Sequence, residues 1–287
     1  MAAITAKMVK ELREMTGAGM MECKKALVET EGDMDKAVDV LRTRGLAAAA
    51  KKAGRATNEG AVVAVVADDA KSATVLELNC ETDFVGMNEK FHQYGERMAK
   101  VALNNGISDV EALKEAKDAE GMTVGDILTD CIHTLGENTV LKRVQTVSAG
   151  AVASYIHMGG KIGVIVEFEV EGIDPTSADF QTYGKDVAME VAALSPVAAN
   201  RESVPADVVE HEMGIYKAQA AESGKPEKIQ QKIAEGRLEK FYRQNCLTEM
   251  EFVKDSDQTV QQYTDACAKK MGGTIKVVDF VRFALGE

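Results

Sequence analysis

Cys80, Glu81, Thr82 and Asp83 stand in a row at the end of a β-rich run. A cysteine thiolate with a distant histidine as base is a nucleophile for acyl transfer. A cysteine closing an alternating strand serves more often as a small buried hydrophobe, and the sequence leaves both readings open. The four histidines, His92, His133, His157 and His211, include no i, i+4 pair and no carboxylate at metal-ligand spacing, so no metal site is expected. Neither G-x-x-x-x-G-K nor G-x-G-x-x-G occurs, which leaves the chain without a phosphate-cradling loop. G-x-S-x-G is missing as well. No cofactor is expected, and the weight shifts from bond chemistry to binding. The unusual local feature is Thr82-Asp83-Phe84-Val85, two apolar residues beside an acid. They fall in a polar connection between a strand ending at Asn79 and a helix starting at Glu89. Phe84 either tucks against the following helix as a hydrophobic staple or stands exposed as the apolar anchor of an interface.

The elements that must position this connection belong to an internal repeat. Gly60-Ala61-Val62 recurs as Gly150-Ala151-Val152 at an offset of 90. At an offset of 89, Val75 recurs as Val164, Phe91 as Phe180, Tyr94-Gly95 as Tyr183-Gly184, and Ala99 as Ala188. Each copy opens with two β-rich runs, 61–67 and 74–78 in the first and 152–156 and 162–170 in the second. Each closes with a helix, 89–103 and 178–194. Two such hairpin-plus-helix units, with helices on one sheet face, make a duplicated α+β core. Between the copies Thr123 opens a helix with Asp126 at N3, a capping-box arrangement. Its stripe of Val124, Ile127, Leu128, Cys131, Ile132 and Leu135 stops at Gly136, and a strand from about 140 to 147 follows.

Ahead of the core, three helices of about ten residues form a minimal bundle. Their stripes are Met8, Val9, Leu12 and Met15; Met20, Cys23 and Leu27; and Met34, Ala37, Val38 and Leu41. Thr5 and Asp33 are cap candidates for the first and third, and Gly17, Gly19 and Gly32 are the breaks. Residues 42–55 carry Arg42, Arg44, Lys51, Lys52 and Arg55 and no acid. They read as an RNA patch or as a basic helix end and linker favoured by the helix dipole. No aromatic stands among them to stack a base, which favours the second reading. In the second half, Pro205 and Pro226 frame an antiparallel helical hairpin. Val209, Met213, Tyr216 and Ala220 form a seam outward, Ser223-Gly224-Lys225-Pro226 the tip, and Ile229, Ile233, Arg237, Leu238 and Phe241 the return. Polar on most faces, the pair is expected to protrude from the body. A last helix, 259–271, a Gly272-Gly273 turn and a strand, 274–283, complete the second unit. The expected domains are 1–55, 56–148 and 149–287, the last with the hairpin 203–248 inserted.

The 34 Lys+Arg against 46 Asp+Glu leave a net charge of −12, which disfavours bulk attraction to nucleic acid or anionic membrane. Residues 1–55 hold 11 Lys/Arg against 8 Asp/Glu, so the acidic excess lies wholly beyond a boundary near 55. No apolar run exceeds the seven residues 61–67, so no transmembrane helix is expected. Lys7, Lys10 and Glu11 leave no room for a signal-peptide core. Five cysteines without a C-x-x-C pair read as reduced thiols in a cytoplasmic protein. With no Trp and 5% aromatics, the core is expected to be aliphatic, with the 14 Met as filler.

Two stretches resemble a known family. Leu12-Arg13-Glu14-Met15-Thr16-Gly17-Ala18-Gly19-Met20-Met21-Glu22-Cys23-Lys24-Lys25-Ala26-Leu27 resembles the N-terminal signature of bacterial elongation factor Ts. Glu77-Leu78-Asn79-Cys80-Glu81-Thr82-Asp83-Phe84-Val85 resembles that family's second signature, and the likeness extends over nearly the whole chain. The resemblance implies an N-terminal bundle of ubiquitin-associated-like fold. It implies a guanine nucleotide exchange factor without bond chemistry, which binds elongation factor Tu in its GDP-bound and nucleotide-free forms and promotes GDP release. By the family pattern, Thr82, Asp83, Phe84 and Val85 form the segment that pushes between helices of the partner's G domain and dislodges its magnesium ion. Arg13, Met20 and Met21 match the N-terminal contact near the guanine-binding side. His157, within Tyr155-Ile156-His157-Met158-Gly159, lies where the second unit touches a distal domain of the partner. Neither direct nucleic-acid contact nor membrane contact is implied, and the hairpin is a candidate surface for self-association.

The chain departs from the family pattern in three places. Gly86-Met87 follows the tetrad where a small residue and then a basic or polar one are common. The chain ends at Gly286-Glu287, where some members continue into a helical module that embraces the partner, so that contact is expected to be missing. The stretch 107–136 is longer than in some relatives. Two further readings are an adaptor whose N-terminal bundle binds ubiquitin-like partners and a cysteine-dependent enzyme built on Cys80.

Overall fold

The structure, a computed structural model, describes residues 4–16, 18 and 20–287. Three helices lead, α1 (Ala6–Thr16), α2 (Met20–Glu29) and α3 (Met34–Lys52). The Thr5 hydroxyl accepts from the Met8 amide at 3.3 Å and the Asp33 carboxylate from the Lys36 amide at 3.1 Å, so both act as caps. Gly17 and Gly19, the expected breaks, lie outside the described residues. Val9, Leu12, Cys23, Ala26, Leu27, Ala37 and Leu41 pack into one cluster. The third helix is 19 residues long, well beyond the ten expected. The linker reading of 42–52 is therefore corrected. Four alanines in succession, 47–50, favour continued helix, and the extension packs against a core helix, α7 (Val124–Leu135).

The first core unit runs β1 (Glu59–Val66), β2 (Ser72–Cys80), α4 (Asp83–Gly86), α5 (Glu89–Asn105), α6 (Val110–Glu115), α7 and β3 (Thr139–Ser148). The second begins with β4 (Ala151–His157), β5 (Ile162–Glu171) and α8 (Ala178–Leu194). After the helices α9 (Ala206–Ala221) and α10 (Glu227–Asn245) come β6 (Glu251–Phe252), β7 (Asp255–Thr259), α11 (Val260–Met271) and β8 (Thr274–Ala284). Among the described residues the strands form two three-stranded antiparallel sheets, in the orders β1-β2-β3 and β4-β5-β8, and a two-stranded one, β6-β7. The last strand pairs with β5, so it completes the second sheet as the sequence suggests.

The repeat has a packing cause. Phe91 and Phe180 lie buried under their sheets, and Ala99 and Ala188 are fully enclosed. A Cβ on Gly95 would come 3.2 Å from both methyls of Val63, and one on Gly184 would collide with the Cβ of Ala153. Val63 pairs with Leu76 and Ala153 with Val166, so the two hairpins match at an offset of 90 in both strands. The sequence match of Val75 with Val164 is corrected, since Ile165 shares the buried face of Val75 and Val164 faces the other way. In each unit a glycine lets the helix settle onto the first strand. The opposite sheet faces meet each other through Val62, Ala73, Val75, Val152 and Ile165. Both faces of β1 and β2 are thereby covered, which is why these strands read as continuous apolar runs. Between the sheets, buried Glu77 accepts from Arg143 Nε at 2.6 Å and from Asn79 Nδ2 at 3.1 Å. The same guanidinium donates to the Ala284 carbonyl at 2.8 Å and lies 4.2 Å above the Phe283 ring, tying β3 to β8.

Three local expectations need correction. Thr123 caps α7 by accepting from the Asp126 amide at 3.1 Å, but the Asp126 carboxylate does not close the box. It is taken by Arg42 of α3. Pro205, a residue type suited to the first turn of a helix, stands one position earlier as the N-cap of α9, and Pro226 closes the tip as the N-cap of α10. α9 and α10 do pack together, with Ala220 and Ala234 buried between them, but Ile229 and Arg237 are exposed. The return helix presents Ile233, Ala234 and Leu238, because the turn before Pro226 sets the phase of its 3.6-residue period. Arg237 instead reaches across to Gln219. Among the described residues no helix is long and apolar enough to cross a membrane.

Candidate functional site

β2 ends at Cys80, and two residues later the chain enters a single helical turn where a loop was expected. Thr82 is its N-cap, in extended backbone, with its hydroxyl accepting from the Val85 amide at 3.4 Å. Gly86 N donates to Thr82 O at 3.1 Å, Met87 N to Asp83 O at 2.9 Å and Asn88 N to Val85 O at 2.9 Å. Asn88 then caps α5 through the Lys90 amide at 2.9 Å. Successive helical residues point about 100° apart, so Phe84 and Val85 cannot share one direction. Val85 packs onto the cluster formed by β1, β2 and α5. Gly86 lies so close to β1 that a Cβ would sit 2.9 Å from the Gly60 carbonyl oxygen. Phe84 is left 80% exposed and Met87 64% exposed. The staple reading of Phe84 therefore fails, and Val85 takes the inward position.

The turn is held at its base by residues that no sequence motif marks. Glu137 Oε2 accepts from the amides of Glu81 at 3.1 Å and Thr82 at 3.0 Å, and its Oε1 from the Thr82 hydroxyl at 2.6 Å. In return, Glu81 Oε1 accepts from the Asn138 amide at 2.6 Å and from Arg55 Nη1 at 3.2 Å. The Asn138 bond, with the Arg55 cation beside it, holds the Glu81 carboxyl below the usual range. Asn138 Nδ2 also donates to the Arg55 carbonyl at 2.9 Å. Glu137 and Asn138 follow the glycine that stops α7, and nothing in their spacing separates them from an ordinary turn.

Cys80 is enclosed, and its thiol donates to the Thr82 carbonyl at 3.1 Å. Burial, with the Glu137 charge adding to it, pushes the thiol up to about 12. It is a protonated structural donor at neutral pH, not a nucleophile. Most of the basic run at 42–55 is likewise paired. Arg42 pairs with Asp126, Arg44 with Glu29 and Arg55 with Glu81, and Lys52 Nζ donates to the Ile132 carbonyl at 3.2 Å.

The other singled-out residues stand on separate elements. Arg13 is exposed on α1. Met20 and Met21 open α2 at 58% and 65% exposure. His157 ends β4, half-buried, with Nδ1 3.0 Å from the Tyr155 hydroxyl, and exposed Met158 follows it. Among the described residues no hydrogen bond joins the α1–α2 group, the 82–85 turn and His157 to one another.

Comparison with known proteins bears on this geometry. The family described as Elongation factor TS matches residues 81–287, starting inside the corner that carries the tetrad. Elongation factor Ts of Clostridium botulinum (strain Alaska E43 / Type E3) is 49% identical over 287 residues, which covers 99% of this chain and 93% of that protein. Its counterpart from strain 657 / Type Ba4 is 47% identical over 288 residues, with the same shares covered. The relatives thus extend the likeness through the three N-terminal helices. An α+β chain with these matches is a translation elongation factor, a protein of protein biosynthesis. It belongs to the elongation factor Ts family.

Proposed function

We propose that this protein is a guanine nucleotide exchange factor for elongation factor Tu. It binds the GDP-bound and nucleotide-free partner and promotes GDP release so that GTP can enter. The observation that carries the reading is Phe84, an exposed aromatic ring on a turn whose base is clamped by Glu137. Asp83 and Phe84 enter between helices of the partner's G domain and shift its magnesium ion, with Thr82 and Val85 setting the turn from below. Arg13, Met20 and Met21 supply a second contact and His157 a third. Residues 1–55 act as a ubiquitin-associated-like unit beside a core divided at 148, and α9–α10 is a protruding arm available for self-association. The site of action is cytoplasmic, and no bond chemistry is required.

The energetics constrain the mechanism. A GTPase that holds GDP at nanomolar strength does so with ~12 kcal/mol. Burying one phenylalanine contributes only ~1.5–3 kcal/mol. Phe84 therefore does not displace GDP alone. A broad interface must favour the nucleotide-free partner, and the coupling is reciprocal, so GDP weakens this protein's binding by the same factor. Phe84 selects a helix position incompatible with bound magnesium. Loss of the cation leaves the diphosphate charge uncompensated, which weakens GDP further. The test is to mix the protein with elongation factor Tu carrying fluorescent GDP, in excess unlabelled GDP. The signal is expected to decay faster in proportion to added protein, and a decay at the spontaneous rate would contradict the reading.

A further inference from the structure

A helix of four residues has almost no capacity to hold itself. The α4 turn has three backbone hydrogen bonds, from Gly86, Met87 and Asn88, and one long cap bond from Val85. The direction in which Phe84 leaves the surface is therefore set at the base of the turn. One side chain dominates that base. Glu137 accepts three hydrogen bonds there, from two consecutive backbone amides and the Thr82 hydroxyl. It does so just ahead of α4, on the amides of the N-cap residue and of the residue before it. Glu81 reaches the other way to the Asn138 amide, so the β2–α4 and α7–β3 corners exchange carboxylate-to-amide bonds in opposite directions. Arg55, just beyond α3, closes the third side through Glu81 and Asn138.

We propose that Glu137 is the positioning residue of the exchange site: it locks the 81–82 corner so that Phe84 is presented in one direction before the partner arrives. The proposal rests on the exchange-factor reading and deepens it. An aromatic anchor on a frayed turn loses conformational freedom when it inserts, and that loss subtracts from the binding available to shift the partner's helices. A preordered turn avoids the loss. Glu137 itself touches neither nucleotide nor magnesium and acts only through Phe84.

Two measurements on the full chain test this, with Glu137→Ala, Glu137→Gln, Phe84→Ala and the double variants with Phe84→Ala. The first is amide hydrogen exchange followed by NMR. Glu137→Ala is expected to speed exchange at Gly86, Met87 and Asn88 at least tenfold while the β1 and β2 amides keep their protection. Unchanged protection at α4, or an equal loss throughout the sheets, would overturn the proposal. The second is stimulated GDP release from elongation factor Tu. Glu137→Ala is expected to slow it about tenfold when Phe84 is present and less than twofold in the Phe84→Ala background, the non-additivity expected of residues acting as a unit. Equal fold-losses in the two backgrounds would also overturn it. Glu137→Gln keeps an oxygen for the backbone amides but loses the charge, so it falls between, and it decides the matter if the alanine variant does not fold. If Phe84→Ala leaves release unchanged, the exchange reading fails, and the protection data still decide whether Glu137 holds the turn.

Discussion

Phe84 and Val85 are neighbours of similar hydrophobicity with opposite fates, and the difference comes from one helical step. Val85 rests on the core cluster while Phe84 is directed outward. Val85→Ala is expected to lower stability by about 1 kcal/mol in urea denaturation, from the loss of partly buried methyl groups. Phe84→Ala should leave the denaturation midpoint unchanged. A drop for Phe84→Ala equal to that for Val85→Ala would mean the ring has a packing role in its own subunit. The apolar pair beside an acid is legible in the sequence, because apolar residues in a polar connection need a reason. Which of the two faces out is not legible. It depends on the helical phase at Thr82, and that phase is set by Glu137, 55 residues away in the chain. Cys80 shows the same limit, since only the enclosing side chains decide between a thiolate and a buried donor.

At the scale of elements, the repeated Phe-x-x-Tyr-Gly-x-x-x-Ala pattern is readable because each of its positions has one packing task. The glycines make the point quantitatively. Alanine in a helix interior gains ~0.5–1 kcal/mol over glycine, while overpacking costs about 1–3 kcal/mol. At Gly184 the new methyl meets a rigid Ala153 Cβ, so Gly184→Ala is expected to destabilise by about 1–2 kcal/mol in urea denaturation. At Gly95 it meets Val63 methyls at 3.2 Å, which have room to turn, so Gly95→Ala should stay within about 1 kcal/mol of the native chain. Reversal of that order would contradict the packing explanation. The seam of α10 differs from its expected residues for the complementary reason. Periodicity gives the spacing of a stripe, but its starting phase comes from the turn that precedes it.

Buried Glu190 on α8 carries a second element-scale prediction. Its Oε2 accepts from the Val253 amide at 2.9 Å, and its Oε1 has no partner among the described residues. Burial raises its pKa, with the Val253 bond working against the shift. A carboxyl whose folded pKa lies above its unfolded value binds an extra proton in the native state between the two values. Its contribution to stability therefore falls as pH rises from about 4.3, the unfolded value, through the folded one. Glu190→Gln removes that dependence. Its melting temperature should gain on the native chain as pH is raised from 5 to 8, and parallel curves would contradict the assignment.

At the scale of the whole molecule, two sheets meet face to face, helices cover their outer faces, and the N-terminal helices lie against α7. The composition and the repeat made the duplicated α+β core legible. The docking of α3 is not legible, because its basic residues fit a helix end and linker equally well in sequence. Arg42, Lys52 and Arg55 have partners 84, 80 and 26 residues away, and sequence spacing carries no trace of such pairings. Removing residues 1–55 bares the α7 face and takes Arg55 from the bracket around the 82–85 turn. The remaining chain is expected to keep its sheet circular dichroism, melt at a lower temperature and bind elongation factor Tu more weakly. Global loss of structure would show that the N-terminal helices are part of the core.

The central claim is that the outward ring of Phe84 drives nucleotide release from the partner. Stopped-flow fluorescence of GDP leaving elongation factor Tu, with the native chain and with Phe84→Ala at equal concentration, tests it most directly. Release is expected to be at least tenfold slower with the variant, at an unchanged melting temperature. Equal release rates for the two proteins would contradict it.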